Sequence, residues 1–248
     1  LDNTTAMEIE LAQTTTDGSI TANAAGTLTA LSVSAAAGAT ARPVTLSSTF
    51  GDVVAESITT ARGDISAISY NGGVAFTKAR RNAANVTAGA GSVRATADAA
   101  AGVITVAGRL LAQGAGSDVV LSSNLGQAVF TNAANVTAAD QLTINTPNAT
   151  VNRSPSNATP AITAARLNLT SQFGAPAVTT PPAWLGTYQV VNLNRTDIGN
   201  LSFTAPSSLT VEGATTSNGG ITFSAPDITV TGPIVTQGAS TDVVLTAS

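Results

Sequence analysis

The sequence predicts an all-β chain folded as a parallel β-helix, a three-faced solenoid of about 20–22 residues per coil with one Pro-rich excursion. Three observations carry this. First, one stretch is written twice: Ile104–Ser123 reads ITVAGRLLAQGAGSDVVLSS and Ile228–Ala247 reads ITVTGPIVTQGASTDVVLTA. Eleven of the twenty positions are identical without a gap, so Gln113 matches Gln237 and Asp118 matches Asp242. Second, each copy holds three short alternating runs separated by Gly or polar turns, the layout of one solenoid turn. Third, equivalent strand starts recur about 20–22 residues apart. Charged residues make up only 10% of the 248, against about a quarter in ordinary globular chains.

Low charge with 43% hydrophobic residues argues against disorder. No apolar run approaches the roughly 18–20 residues of a membrane-spanning helix. Apolar residues alternate instead with Thr and Ser, as strands with one buried face require. The chain contains no Cys and no His, which excludes disulfides and thiolate or imidazole metal sites. No cofactor is expected. A net charge of -4 with ten basic residues leaves no footprint for nucleic acid.

Taken in order, the run MEIEL places Met7, Ile9 and Leu11 on one strand face and Glu8 and Glu10 on the other. Asp17-Gly18 marks a turn. The segments SITA, LTALSVSA and VTLSS continue as short strands to Ser48. Gly51–Tyr70 divides into DVVAES, ITTARG and DISAIS, three runs of about six residues. Gly51-Asp52 and Gly63-Asp64 open strands, because Gly permits a corner backbone and the short Asp side chain accepts from nearby N–H groups. Later runs keep the period. Val93 follows Val74 by nineteen residues, Ile221 follows Leu201 by twenty, and Val243 follows Ile221 by twenty-two.

Stacked coils bury an inward row that one coil cannot bury alone. At about 20 residues per coil and about 4.8 Å per step, the chain makes roughly twelve coils in a rod of about 55–60 Å. Residues 1–151 and 189–248 read as coils of one continuous solenoid. Residues 152–188 read as a Pro- and aromatic-rich excursion, interrupted by one coil strand, AARLNLTSQ. Proline removes ladder donors and belongs outside the sheet. Bare solenoid ends expose strand edges, so more protein or another copy is expected at one or both of them.

Phrases such as ESITTARGDISAIS, NGGITFSAPDITV and PDITVTGPIVTQGASTDVVLTA resemble the shaft repeats of filamentous haemagglutinin-type adhesins, the large exoproteins of two-partner secretion. The resemblance covers most of residues 17–247 outside the excursion. It implies a right-handed parallel β-helix, secreted and folded at a bacterial surface. The amino-terminal transport motifs of that family are not present.

Several residues invite a functional reading. Trp184, Tyr188 and Phe173, on the excursion, are candidates for recognition, because aromatics can stack on sugars or anchor a partner. The alternative is that they plug the gap where the excursion returns. Arg62-Gly63-Asp64 forms an integrin-type tripeptide, yet it sits at an ordinary coil corner. Lys78, Arg80 and Arg81 are a basic cluster suited to an acidic surface or to a solvated corner. Glu8 and Glu10 share a face, but the remaining acids are scattered singly, and catalysis is not expected. Thr-x-Thr does not keep one register, which argues against ice binding. The expected role is the structural shaft of a cell-surface adhesin or fibre, meeting a host or neighbouring-cell surface, glycan or matrix. End-to-end self-association into a filament or sheath is the alternative, and a polysaccharide-degrading β-helix enzyme is a third.

Overall fold

A computed structural model describes residues 1–15, 18–35, 40–78, 84–99, 102–131, 133–152, 161–172, 188–205, 207–238 and 241–247. All regular structure among them is β-strand, and every described strand pairing is parallel. The expected solenoid is therefore present.

Each early turn writes its three runs onto three faces. The first face stacks Ile20–Ala24, Val44–Ser48, Ile65–Ser69, Val93–Ala97 and Val119–Ser123. The second stacks Met7–Ile9, Leu28–Ala30, Val53–Ala55, Val74–Phe76, Val103–Val106 and Gln127–Thr131. The third stacks seven strands from Ala12–Thr14 to Ala161–Thr163. The reading of Gly51–Tyr70 as three runs is matched by Val53–Ala55, Ser57–Thr60 and Ile65–Ser69.

Strict alternation decides which side chains enter the core. On the first face Ile20, Val44, Ile65, Val93, Val119, Leu142, Leu167, Val191 and Val211 succeed one another in register and all point inward, buried. On the third face Val33, Ile58, Val86, Leu110, Val136 and Ile162 do the same. Each such side chain gains about 1.5–3 kcal/mol from burial. β-branched residues suit these columns because their fixed χ1 packs flat against the next rung.

Coil length departs from the expected 20–22. The first-face register runs Asn23, Ser47, Ile68, Thr96, Ser122, Asn145, Thr170, Asn194, Thr215, so successive coils take 20 to 28 residues once Asp2 and Val235 are added at its ends. Some of this variation lies within the strands, as register shifts between Asn145 and Asn148 and between Val191 and Asn192. The first face therefore passes eleven rungs among the described residues, not twelve. Leu11 also departs from expectation: the strand ends at Ile9, and Leu11, beyond the bend, is exposed.

The Pro-rich stretch contains the expected coil strand. Arg166–Gln172 pairs with Gln141–Asn152 on one side and Val190–Ile198 on the other. Residues 153–160 and 173–187 lie outside the described residues. Arg166 reaches across the intervening rung to Glu212, with Nη1 donating to Oε1 at 2.7 Å and to Oε2 at 2.9 Å. Both groups are well exposed, so the pair contributes little, about 0–1 kcal/mol. After this stretch the strands Leu201–Thr204, Ile221–Ala225 and Val243–Ala247 form a separate three-stranded face. Its inward Phe203 and Phe223 stack with ring centroids 6.3 Å apart at a tilted 57°.

Candidate functional site

Corners carry the chemistry of this fold, because the faces are committed to packing and to ladders. Two corner rules recur. In the first, an Asp or Asn just before a strand caps the next coil. Asp52 Oδ1 accepts from the Gly73 N–H at 2.7 Å, Asp64 from Ser92 at 2.8 Å, Asp118 from Gln141 at 3.2 Å, and Asn200 from Gly220 at 2.8 Å. These scattered acids therefore do repetitive structural work on separate coils. Among the described residues no three His, Cys, Asp or Glu side chains gather.

Arg62-Gly63-Asp64 obeys this rule. Gly63 adopts φ +119°, a left-handed conformation that side chains other than hydrogen rarely adopt. Its N–H donates to Ala90 O at 3.0 Å, and Arg62 O accepts from the Arg42 N–H at 2.6 Å. With the Asp64 carboxylate held by the next coil, the tripeptide is pinned between neighbouring coils. Asp64→Ala should destabilise the chain by about 1 kcal/mol in thermal unfolding, while Asp64→Asn, which keeps the acceptor, should stay near wild type. An equal loss in both variants would contradict the capping role.

In the second rule, Ser-x-x-Gly ends the first face. The sequences are Ser48-Thr49-Phe50-Gly51, Ser69-Tyr70-Asn71-Gly72 and Ser123-Asn124-Leu125-Gly126. Each Ser turns inward, and its hydroxyl donates to the carbonyl of the Gly-bearing corner one coil earlier. Ser48 reaches Gly26 O at 2.8 Å, Ser69 reaches Gly51 O at 2.7 Å and Ser123 reaches Gly102 O at 3.0 Å. The glycines stack directly on one another, and the two residues between Ser and Gly are pushed out to solvent.

That geometry presents an apolar ridge along one edge of the rod. Phe50 is 72% exposed, Tyr70 50% and Leu125 65%. Phe50 and Tyr70 stand on adjacent coils. Their backbones are fixed by the Phe50 N–H to Ala25 O (2.7 Å) and the Tyr70 N–H to Ser48 O (3.0 Å). Beside them Asn71 Nδ2 donates to Thr49 O at 2.7 Å, and one coil beyond Tyr70 Asp98 Oδ1 accepts from Asn124 Nδ2 at 3.2 Å. A cleft of about 320 Å³ adjoins the ridge, lined by Asp52, Asn71, Gly72, Gly73, Ala99 and Thr105 among others. Reasoning from sequence missed this ridge. The signal was present in the recurrence of Ser-x-x-Gly with a large apolar residue inside it.

No family model, no curated protein and no solved structure matches this chain.

The other sequence candidates fall elsewhere. Tyr188 is 1% exposed and belongs to the hydrophobic core, so its ring plugs the shaft and is not presented to a partner. Phe173 and Trp184 lie outside the described residues, as do Arg80 and Arg81, while Lys78 is exposed. Glu8 and Glu10 are exposed on the first turn, either side of buried Ile9. On the third face Ser34, Thr59, Thr87, Leu111, Thr137 and Thr163 do share one register. The neighbouring column, Ser57, Asn85, Arg109 and Asn135, is mixed, so the described residues of this face form no paired Thr-x-Thr array. No described helix is long and apolar enough to cross a membrane.

Proposed function

We propose that this chain is a structural shaft segment of a secreted bacterial cell-surface adhesin or fibre. The observation that carries the reading is the inward column running unbroken from Ile20 to Val211. Such a column makes a stiff rod whose coils depend only on their neighbours, and rods of this kind project or space other parts. The corner acids fit the same reading, since each is used to hold one coil to the next. The repeat phrases that resemble haemagglutinin-type shafts point to adhesion to a host or neighbouring-cell surface, glycan or matrix.

One observation favours a second reading, a filament or sheath built by end-to-end stacking. Val230, Val235, Val243, Val244 and Leu245 on the last described coil are exposed, as are Leu1 and Leu11 on the first. An uncovered coil accepts a further coil by strand addition, from the same polypeptide or from a neighbouring molecule.

Negative-stain electron microscopy with mass determination separates the readings. Discrete rods support the shaft. Uniform filaments lengthening with concentration support end-to-end assembly. Compact particles with neither form would overturn both and return attention to a polysaccharide-acting β-helix.

A further inference from the structure

We propose that the Phe50–Tyr70 ridge and the cleft beside it bind neutral oligosaccharides. The proposal deepens the adhesive part of the surface-fibre reading and rests on it only for where the sugar is met. Two large aromatic rings stand in solvent on adjacent coils, on a corner whose backbone is locked from both sides. An aromatic side chain has only two torsions to fix on binding, and its face suits the C–H face of a pyranose. Tyr70 follows Ser69 by one residue and Phe50 follows Ser48 by two, so the rings sit diagonally across two rungs about 4.8 Å apart and offer a sugar chain two neighbouring platforms.

Polar groups for the sugar hydroxyls lie where they are needed. Asn71 follows Tyr70 directly and also lines the cleft, and Asp52 lies two residues after Phe50 on the same wall. Asp52 is exposed, with one carboxylate oxygen occupied by the Gly73 N–H. Thr105 adds a hydroxyl from the coil above. Small residues, Gly72, Gly73 and Ala99, keep the cleft open. Its size reaches the lower end of small-ligand sites, about 300 Å³. Among the described residues the lining holds a carboxylate and no Lys or Arg, which favours a neutral glycan over an anionic one.

Isothermal titration calorimetry of the whole chain with cellotetraose and with xylotetraose tests this, with tetragalacturonate as the anionic control. Saturable binding of a neutral tetrasaccharide is expected, with no heat from the galacturonate. Phe50→Ala and Tyr70→Ala should each weaken binding about tenfold, and Asn71→Ala should weaken it less. Because Phe50 and Tyr70 are well exposed, the variants should unfold at the wild-type temperature, which confirms that lost binding is local. No heat from either neutral sugar up to about 10 mM would overturn the proposal, as would unchanged affinity in the Phe50→Ala/Tyr70→Ala double variant or preference for the galacturonate. Rods or filaments that bind no sugar would remove this site and leave the shaft reading standing. Sugar binding by compact particles would do the reverse.

Discussion

Phe130→Ala is expected to lower unfolding stability by about 3–5 kcal/mol. Phe130 is fully buried on the second face, where the register runs Phe76, Val106, Phe130. Removing the ring leaves a hole in a column whose neighbours are pinned by ladder hydrogen bonds and cannot collapse inward. Coils couple only to adjacent coils, so the damage should be local. Urea unfolding should show the lower stability. Hydrogen exchange should show faster opening in Val103–Val106 and Gln127–Thr131, with Val44–Ser48 little changed. A loss below about 1 kcal/mol would mean that the ring is not in the core.

Gly126→Ala should be nearly as damaging, by about 3 kcal/mol or more, for a different reason. A Cβ at Gly126 would collide with the Gly102 carbonyl oxygen. That oxygen belongs to backbone and accepts from Ser123, so it cannot move aside without breaking the corner. Gly116→Asn is the control. A Cβ there meets nothing within 4 Å, and Asn tolerates φ +73°. Unfolding midpoints should therefore fall sharply for Gly126→Ala and barely for Gly116→Asn. Equal midpoints would contradict the stacking of corner glycines.

The legible part of the fold was the part written by period. The runs DVVAES, ITTARG and DISAIS were read as three strands, and each supplies one, with Val53, Ile58 and Ile65 buried. The doubled stretch divides in each copy into three strands, Val103–Val106, Gly108–Ala112 and Val119–Ser123 in the first, and Ile228–Val230, Ile234–Thr236 and Val243–Ala247 in the second. Coil length was less legible, because a bulge or a longer turn changes it by a few residues at little energetic cost. Leu11 was misplaced for a related reason: alternation continues through Glu10, but the strand does not.

The candidate site was mostly illegible. An aromatic in an alternating run reads as core, and an aromatic beside prolines reads as surface. Neither guide holds here. Tyr188 follows the Pro-rich stretch yet is buried, taking the alternative place and filling the gap where the chain returns to the shaft, and Tyr70 lies just past the run DISAIS and is exposed. What decides is the Ser before it: Ser69 takes the last inward place, and Tyr70 begins the corner. The acids were read correctly as corner residues, although Asp52 and Asp64 occupy two different corners of the coil with the same capping chemistry.

Stacking in one parallel register is the central claim, and a chain without cysteine allows a clean test. Thr59 and Thr87 are partners on neighbouring rungs of the third face. Rungs about 4.8 Å apart lie within the Cα separation of a disulfide, about 4.4–6.8 Å. Thr137 lies in the same column three rungs from Thr59, about 14 Å away. The Thr59→Cys/Thr87→Cys variant should close an intramolecular disulfide on mild oxidation, and Thr59→Cys/Thr137→Cys should not. Failure of the first pair to close, or efficient closure of the second, would contradict the register and with it the solenoid.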